Sequence, residues 1–488
     1  MIINKKFIEL LILIKCIIFL ALLAIACNSE DAVVKTNVPI VDGPLFKSIT
    51  DSGIDFVNKL DIKTLKSTME FINVYNGGGV GVADINNDGL LDIYLTGNQV
   101  DNKLYLNKGN LKFEDITKKA GVACTGAWST GVTFGDVNND GFIDIYVCKS
   151  YFDQKLLRSN VLFINNGDLT FTDRSNAFGV GDTNYSMQAA FLDYDKDGFL
   201  DLYVGNCAHI PKKYRALLDD DHHTKHFLNP TDLTLSDRLY KNIGGQKFQE
   251  VTKEAGILNY GYMLGVSIAD YNKDGWQDIY VAVDHGEPDK LYINQGNGNF
   301  VNKINESFKH ISLSSMGTDA ADLNNDELID IVSLDMLSRD HYSEKTQMAS
   351  MDPVAFENNV RNGYHYQYMR NMLQLNMGNN KFSEIGQMAG IHKTDWSWSV
   401  LACDFDNDGW KDIFITNGYY RAILDKDINK KVKKEFSEKT THKDKFRILD
   451  QFPLRLKEQK NNNVLYLNQQ NYTFKDVSNS EGVDQLGF

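Results

Sequence analysis

Six times along this chain a nine-residue pattern returns: Asp, any residue, Asn or Asp, any residue, Asp, usually Gly, two further residues, and Asp. The copies begin at Asp84, Asp136, Asp193, Asp270, Asp322 and Asp404. Ca2+ takes roughly six to eight hard oxygen ligands in flexible geometry, and such a loop offers them from positions one, three, five and nine and from the backbone carbonyl of position seven. The side-chain ligands expected are Asp84, Asn86, Asp88 and Asp92 in the first loop, and Asp136, Asn138, Asp140 and Asp144 in the second. The third offers Asp193, Asp195, Asp197 and Asp201, and the fourth Asp270, Asn272, Asp274 and Asp278. The fifth has Asp322, Asn324, Asp326 and Asp330, and the sixth Asp404, Asp406, Asp408 and Asp412. Position six is Gly89, Gly141, Gly198, Gly275 and Gly409, which suits a positive φ, but the fifth loop has Glu327 there. A side chain in that conformation costs about 1 kcal/mol. Up to six Ca2+ are therefore expected, the fifth held most weakly. An Asn/Asp-rich hairpin turn without metal reads the same at one site; six copies in register argue for the ion.

The flanks of each loop alternate with period two and the closing acid is Asp at nine, not Glu at twelve, which excludes paired-helix calcium hands. A Gly-rich apolar segment leads in (Gly79-Val-Gly-Val-Ala-Asp84) and an alternating strand leaves (Leu91-Asp-Ile-Tyr-Leu95). Lys103-Leu-Tyr-Leu-Asn107 and Phe113-Glu-Asp-Ile-Thr117 follow, then Ala120-Gly121-Val122. The third phrase returns as Val161-Leu-Phe-Ile-Asn165, Arg238-Leu-Tyr-Lys-Asn242, Lys290-Leu-Tyr-Ile-Asn294, Met372-Leu-Gln-Leu-Asn376 and Val464-Leu-Tyr-Leu-Asn468. Four short strands per unit predict an all-β propeller whose 1-2 loops bind calcium. Only 7 Pro against 37 Gly suits short strands joined by tight turns.

The loops, each followed by a phrase such as Asp144-Ile-Tyr-Val147, resemble the FG-GAP/VCBS repeat of integrin-α-like propellers. Tyr75-Asn-Gly-Gly-Gly79, Met369-Arg-Asn-Met-Leu373 and Thr394-Asp-Trp-Ser-Trp398 are similar to bacterial lipoproteins in which such repeats precede an ASPIC/UnbV domain, related to the cartilage acidic protein group; no such domain is read before Phe488. The propeller is expected over 45–488. Phe46-Lys-Ser-Ile-Thr50 with Ser52-Gly53-Ile54 matches the fourth-strand phrase and is expected to close the ring. The seam has two readings, six blades with an extra strand, or seven with the last truncated. The resemblance implies seven.

Residues 1–26 have the form of an export signal, with Lys5 and Lys6 before an apolar run that ends at Cys27. Ala24-Ile25-Ala26-Cys27 resembles a lipobox, which makes Cys27 a lipidation site and 27–44 a tether; a plain signal peptide or a membrane anchor are the other readings. Asn28-Ser29-Glu30-Asp31 resembles the acidic start of surface lipoproteins, so the expected location is the outer membrane or cell surface of a Gram-negative bacterium, with a periplasm-facing arrangement as the other orientation. A net charge of −14 argues against a nucleic-acid partner, which needs a basic face. Cys148 and Cys207 follow their loops at near-equivalent places, as a disulfide or as buried thiols.

Long insertions fall between second and third strands, at 206–237, 337–370 and 417–462. In a propeller, 2-3 and 4-1 connections share the face opposite the 1-2 loops. Eight residues before each loop stand Asn76, Trp128, Tyr185, Tyr262, Ser314 and Trp396; the aromatics Trp128, Tyr185, Tyr262 and Trp396 suit either ligand stacking or packing between blades. The insertion at 426–460 reads as one or two amphipathic helices. His222, His223 and His226 read as a solvated charge run or a metal cluster. No catalytic residues are assigned: nucleophile elbow and phosphate loop are absent, and Asp340 and Asp395 are candidates by type alone. The expected function is a non-catalytic, calcium-stabilised, membrane-anchored binder of a glycan or protein ligand. The alternatives are a propeller-type polysaccharide lyase or hydrolase, or a scaffold subunit of an outer-membrane uptake complex.

Overall fold

A computed structural model describes residues 43–61, 72–151, 155–207, 236–347, 353–419, 425–439, 441, 444, 447–448, 456–483 and 486–487. The export signal, Cys27, His222, His223 and His226 lie outside them. Within the compact unit Pro44–Phe488, the chain forms six four-stranded antiparallel blades. Blade one holds Val80–Ala83, Asp92–Leu95, Lys103–Asn107 and Phe113–Asp115 side by side in chain order. Blades two to six repeat it over 129–173, 186–250, 262–302, 318–384 and 397–476. Alternation along each strand gives every sheet two faces to bury, and stacking the blades buries both. The core is accordingly serial. Tyr94 and Leu104 of blade one pack on Ile145, Val147 and Phe163 of blade two, and further clusters join blades two to three, three to four, four to five and five to six.

The Gly-rich lead-in to each loop is the first strand, where neighbouring blades come closest. A Cβ on Gly131 would lie 2.6 Å from Met187 O of the next blade, and one on Gly317 2.3 Å from Trp398 O. Glycine there lets backbones touch. Five of the six fourth strands lead into a turn that ends on a left-handed glycine, such as Gly121 (φ 77°) after Thr117–Ala120, and blade four ends its turn on Phe308 in extended conformation instead.

The ring contains no seventh four-stranded sheet among the described residues. Segment 44–54 instead stands at the seam. Phe46 N donates to Glu481 O (3.2 Å) after blade six, and Phe113 N of blade one donates to Ser52 O (2.7 Å). The same bond joins blades three and four, where Phe300 N donates to Ala255 O (2.8 Å). Phe46 packs edge-on against Phe405 at 5.6 Å, and Asp55 accepts from the Tyr105 hydroxyl at 2.6 Å. The segment thus bridges blades six and one and adds no strand to blade six, whose four strands are already paired.

Of the insertions, helices His341–Gln347, Pro353–Arg361 and Lys426–Glu438 are described. The Asp425 carboxylate caps the last, accepting from Asp427 N and Ile428 N, and Val432 is its buried contact. Cys124, Cys148, Cys207 and Cys403 form no disulfide, and Cys148 and Cys207 are buried. Among the described residues no helix is long and apolar enough to cross a membrane.

Candidate metal centres

Each nine-residue loop is a hairpin tip between first and second strands, closed where the residue before position one pairs with the ninth: Ala83 with Asp92, Gly135 with Asp144, Leu192 with Asp201, Ala269 with Asp278, Ala321 with Asp330, Cys403 with Asp412. The first carboxylate turns the loop. Asp136 accepts from Asp140 N (3.1 Å) and Gly141 N (2.8 Å), and Asp84, Asp193, Asp270, Asp322 and Asp404 do the same in their loops. Position five accepts from position seven, as Asp140 does from Phe142 N at 2.9 Å. Position four is left-handed throughout, at Asn87, Asn139, Lys196, Lys273, Asn325 and Asn407, as is position six. Glu327 adopts φ 66° where the five glycines have φ 83° to 90°. The strain expected at the fifth loop is present.

The ninth Asp does two jobs. Asp144 Oδ2 accepts from Val137 N (3.0 Å) inside the loop, and Oδ1 from Asn165 N (2.9 Å) at the end of the third strand. Asp92, Asp201, Asp278, Asp330 and Asp412 repeat the pair of bonds. Burial pushes the carboxyls of Asp144, Asp201, Asp278 and Asp330 up to about 7, and other carboxylates of the same loop push the same way. Asp92 and Asp412 are raised for the same reasons. Negative charge is therefore gathered where burial penalises it, and a divalent cation relieves that penalty.

The donor set fits such an ion. Oxygens of Asp404, Asp406 and Asp412 lie within 4.8 Å of one another, as do those of Asp193, Asp195 and Asp197. All are hard carboxylates, without sulfur or imidazole, which suits Ca2+ over a transition metal. In loops one, two, four and five the third position is Asn, whose amide donates to the position-five carboxylate, as Asn86 Nδ2 does to Asp88 Oδ2 at 3.0 Å.

The asparagine ending each third strand is a functional residue whose role the sequence reading missed. Asn165 Nδ2 donates to Ile143 O of its own loop and to Ile85 O of the loop in blade one (2.8 Å). Asn242 reaches Val137 O, Asn294 reaches Tyr194 O, Asn376 reaches Tyr271 O and Asn468 reaches Leu323 O, each in the preceding blade. In the other direction Asn87, Asn139 and Asn325 donate to Gly141 O, Gly198 O and Gly409 O of the next loop. The loops form a linked series. The signal available was the recurrence of Asn at one register position.

On the opposite face, Trp128 is only 1% exposed and stacks on Tyr151 at 4.4 Å. It is a packing residue and offers no open stacking surface. Trp396 stacks on Tyr419 at 4.0 Å, beside Trp398, and Tyr75 meets Tyr419 edge-on at 5.2 Å. Trp128, Tyr185 and Trp396 thus share one aromatic cluster with Tyr75 and Tyr419. Arg158 lies 4.4 Å over the half-buried Tyr185 ring. Tyr262 stands apart, edge-on to His285 at 4.7 Å. Tyr151, Trp398 and Tyr419 were not foreseen; two of them follow the second strands of their blades. Asp340 and Asp395 have backbone duties: Asp340 caps helix His341–Gln347 through Ser343 N (3.0 Å), and Asp395 accepts from Arg339 N (3.0 Å).

Comparison with known proteins agrees with this architecture. A family model described as FG-GAP-like repeat matches residues 76–147, 154–204, 270–333 and 362–415. Cartilage acidic protein 1 of Mus musculus is 24% identical over 372 residues, covering 70% of this chain and 49% of that protein. Its Homo sapiens counterpart is 23% identical over 418 residues, covering 79% and 53%. Integrin alpha-8 of Gallus gallus is 29% identical over 177 residues, covering 31% and 17%. The chain spans about half the length of the cartilage acidic proteins it matches.

Proposed function

The chain is a β-propeller of FG-GAP-like repeats that resembles cartilage acidic protein 1, and from that premise we propose a calcium-stabilised, non-catalytic binder anchored outside the cytoplasm by lipid on Cys27. Its ligand is a glycan or a protein, taken up on the face opposite the calcium loops. One observation carries the reading: the acidic loops all lie at the hairpin tips between first and second strands, tied to one another and to third-strand backbone, which makes them fasteners of the ring. The insertions and the half-buried aromatics Tyr185 and Trp396 belong to the other connections, with Trp398 beside Trp396 at the start of the strand Ser397–Cys403, where a ligand meets no fastener. Fold alone does not choose a ligand.

Ca2+ when bound supplies charge neutralisation at each hairpin tip. The residues that would hold it are positions one, three, five and nine, which already orient one another through the backbone bonds above. The two acids weighed for catalysis, Asp340 and Asp395, are accounted for as a helix cap and a loop brace, so the enzyme reading draws no support from them.

Incubation of the mature protein with a panel of polysaccharides and extracellular-matrix proteins tests the reading. Saturable retention without change to the ligand is expected; release of reducing ends or unsaturated sugars would overturn it in favour of a lyase or hydrolase. Cys27→Ser is expected to move the protein from the membrane to the soluble fraction, and retention of the variant in membranes would remove the lipid anchor.

A further inference from the structure

Loop three combines two linked features that no other loop has together. It has Asp195 at position three where loops one, two, four and five have Asn86, Asn138, Asn272 and Asn324. Facing it is Lys241, fourth residue of the strand Arg238–Asn242, where the other blades carry Leu106, Ile164, Ile293, Leu375 and Leu467. An ammonium has replaced an apolar side chain at one register position in one blade. The Lys241 ammonium pairs with Asp195 Oδ2 and lies 3.4 Å from Asp197 Oδ2. Lys241 and Asp195 are partly shielded, with side chains 31% and 17% exposed, and Asp197 is 36% exposed.

Those two carboxylates are positions three and five, the same ones that would grip an ion. A positive group held between them fills the space of a cation and repels a second one at short range. We propose that Lys241 is a tethered cation that stands in for the divalent ion of loop three, so that the propeller has one calcium site fewer than it has loops and blade three stays fastened when calcium is withdrawn. The proposal deepens the calcium reading above and rests on it.

Loop six is the internal control. It too has four carboxylates, Asp404, Asp406, Asp408 and Asp412, yet its counterpart of Lys241 is Leu467. The side chain that reaches it is neutral: Gln470 Nε2 donates to Asp408 Oδ2 at 3.1 Å. Equal acidity with and without a built-in ammonium separates the effect of the lysine from that of the charge count.

Calcium stoichiometry by native mass spectrometry, with titration calorimetry, on the wild type, Lys241→Leu and Leu467→Lys decides the matter. Leucine at 241 is what blades one and six already use at that position, so the variant is expected to fold. Lys241→Leu should take up one Ca2+ more than the wild type and Leu467→Lys one fewer. Equal, non-zero uptake by wild type and Lys241→Leu would overturn this inference alone. No uptake by any of the three would overturn the calcium reading and this inference with it.

Discussion

At the scale of single residues, position six of the loops gives a direct comparison of glycine with a side chain. Glu327 adopts φ 66° and its carboxylate meets Lys273 at 2.7 Å across to loop four. An exposed ion pair of this kind contributes little, about 0–1 kcal/mol. Relief of the left-handed strain outweighs it, so Glu327→Gly should stabilise the protein by about 1 kcal/mol and tighten the fifth calcium site. A lower melting temperature for the variant would show that the ion pair dominates. The ninth acids bear on pH. The carboxyls of Asp144, Asp201, Asp278 and Asp330 stand at about 7 in the folded, metal-free chain, and those of Asp92 and Asp412 are raised by burial too, above the usual value of about 4, so folding favours their protonated form. That stability is complete below the unfolded value and is lost as pH rises to about 7. Chelated protein is thus expected to melt higher at about pH 5.5 than at about pH 8, with excess Ca2+ abolishing the difference by favouring the carboxylates. A chelated protein that melts higher at the alkaline pH would contradict the arrangement. Of these residues the ligand pattern was legible in the sequence because all its members lie within nine positions. The burial of Trp128 was not, because Tyr151 and Tyr419, which crowd its cluster, arrive from other connections.

At the scale of elements, four strands per unit and their order followed from the recurrence of phrases, and the hairpin register followed from the loop length. Pairing within a blade is local. What ties one blade to the next is not: the asparagine contacts with the preceding loop span 80 to 145 residues of chain. Asn376 Nδ2 bonds Ile329 O in its own blade and Tyr271 O in blade four. Asn376→Ala leaves two buried carbonyls short of a donor and should cost about 2–4 kcal/mol, at about 1–3 for each group less partial solvation. Asn107 of blade one bonds Leu91 O of its own loop, and among the described residues no bond to another blade's loop accompanies it. Asn107→Ala should cost about half as much. Equal losses in thermal or denaturant unfolding would mean that the bond between blades adds nothing. The helix over Lys426–Glu438 was legible from its amphipathic spacing, whereas the burial of Val432 depends on tertiary neighbours that the spacing does not name.

At the scale of the molecule, stability is a sum over blade-to-blade interfaces, each with an apolar cluster and loop-to-loop bonds. Five full interfaces join blades one to six in series. On the calcium reading, ions in the loops other than the third add to every interface, so chelation should lower the melting temperature by many degrees; an unchanged melt would refute the metal centres as a group. The sixth interface is made by the seam segment 44–54, and there the blade faces stay partly open: Val80 and Val82 of blade one are 64% and 52% exposed, and Leu401 of blade six 51%. First strands of blades two to five show no exposed residue.

A closed loop of identical links has no preferred place to come apart, but this one has. Blades one and six each lack a full neighbour on one side, so they should fray first and hand the disruption inward, with blades three and four the last to lose their structure. Amide exchange read blade by blade makes that order visible: second-strand amides of Asp92–Leu95 and Asp412–Asn417 should exchange ahead of those of Asp201–Asn206 and Asp278–Asp284. Uniform protection around the ring would mean that eleven residues at the seam hold as firmly as a whole blade.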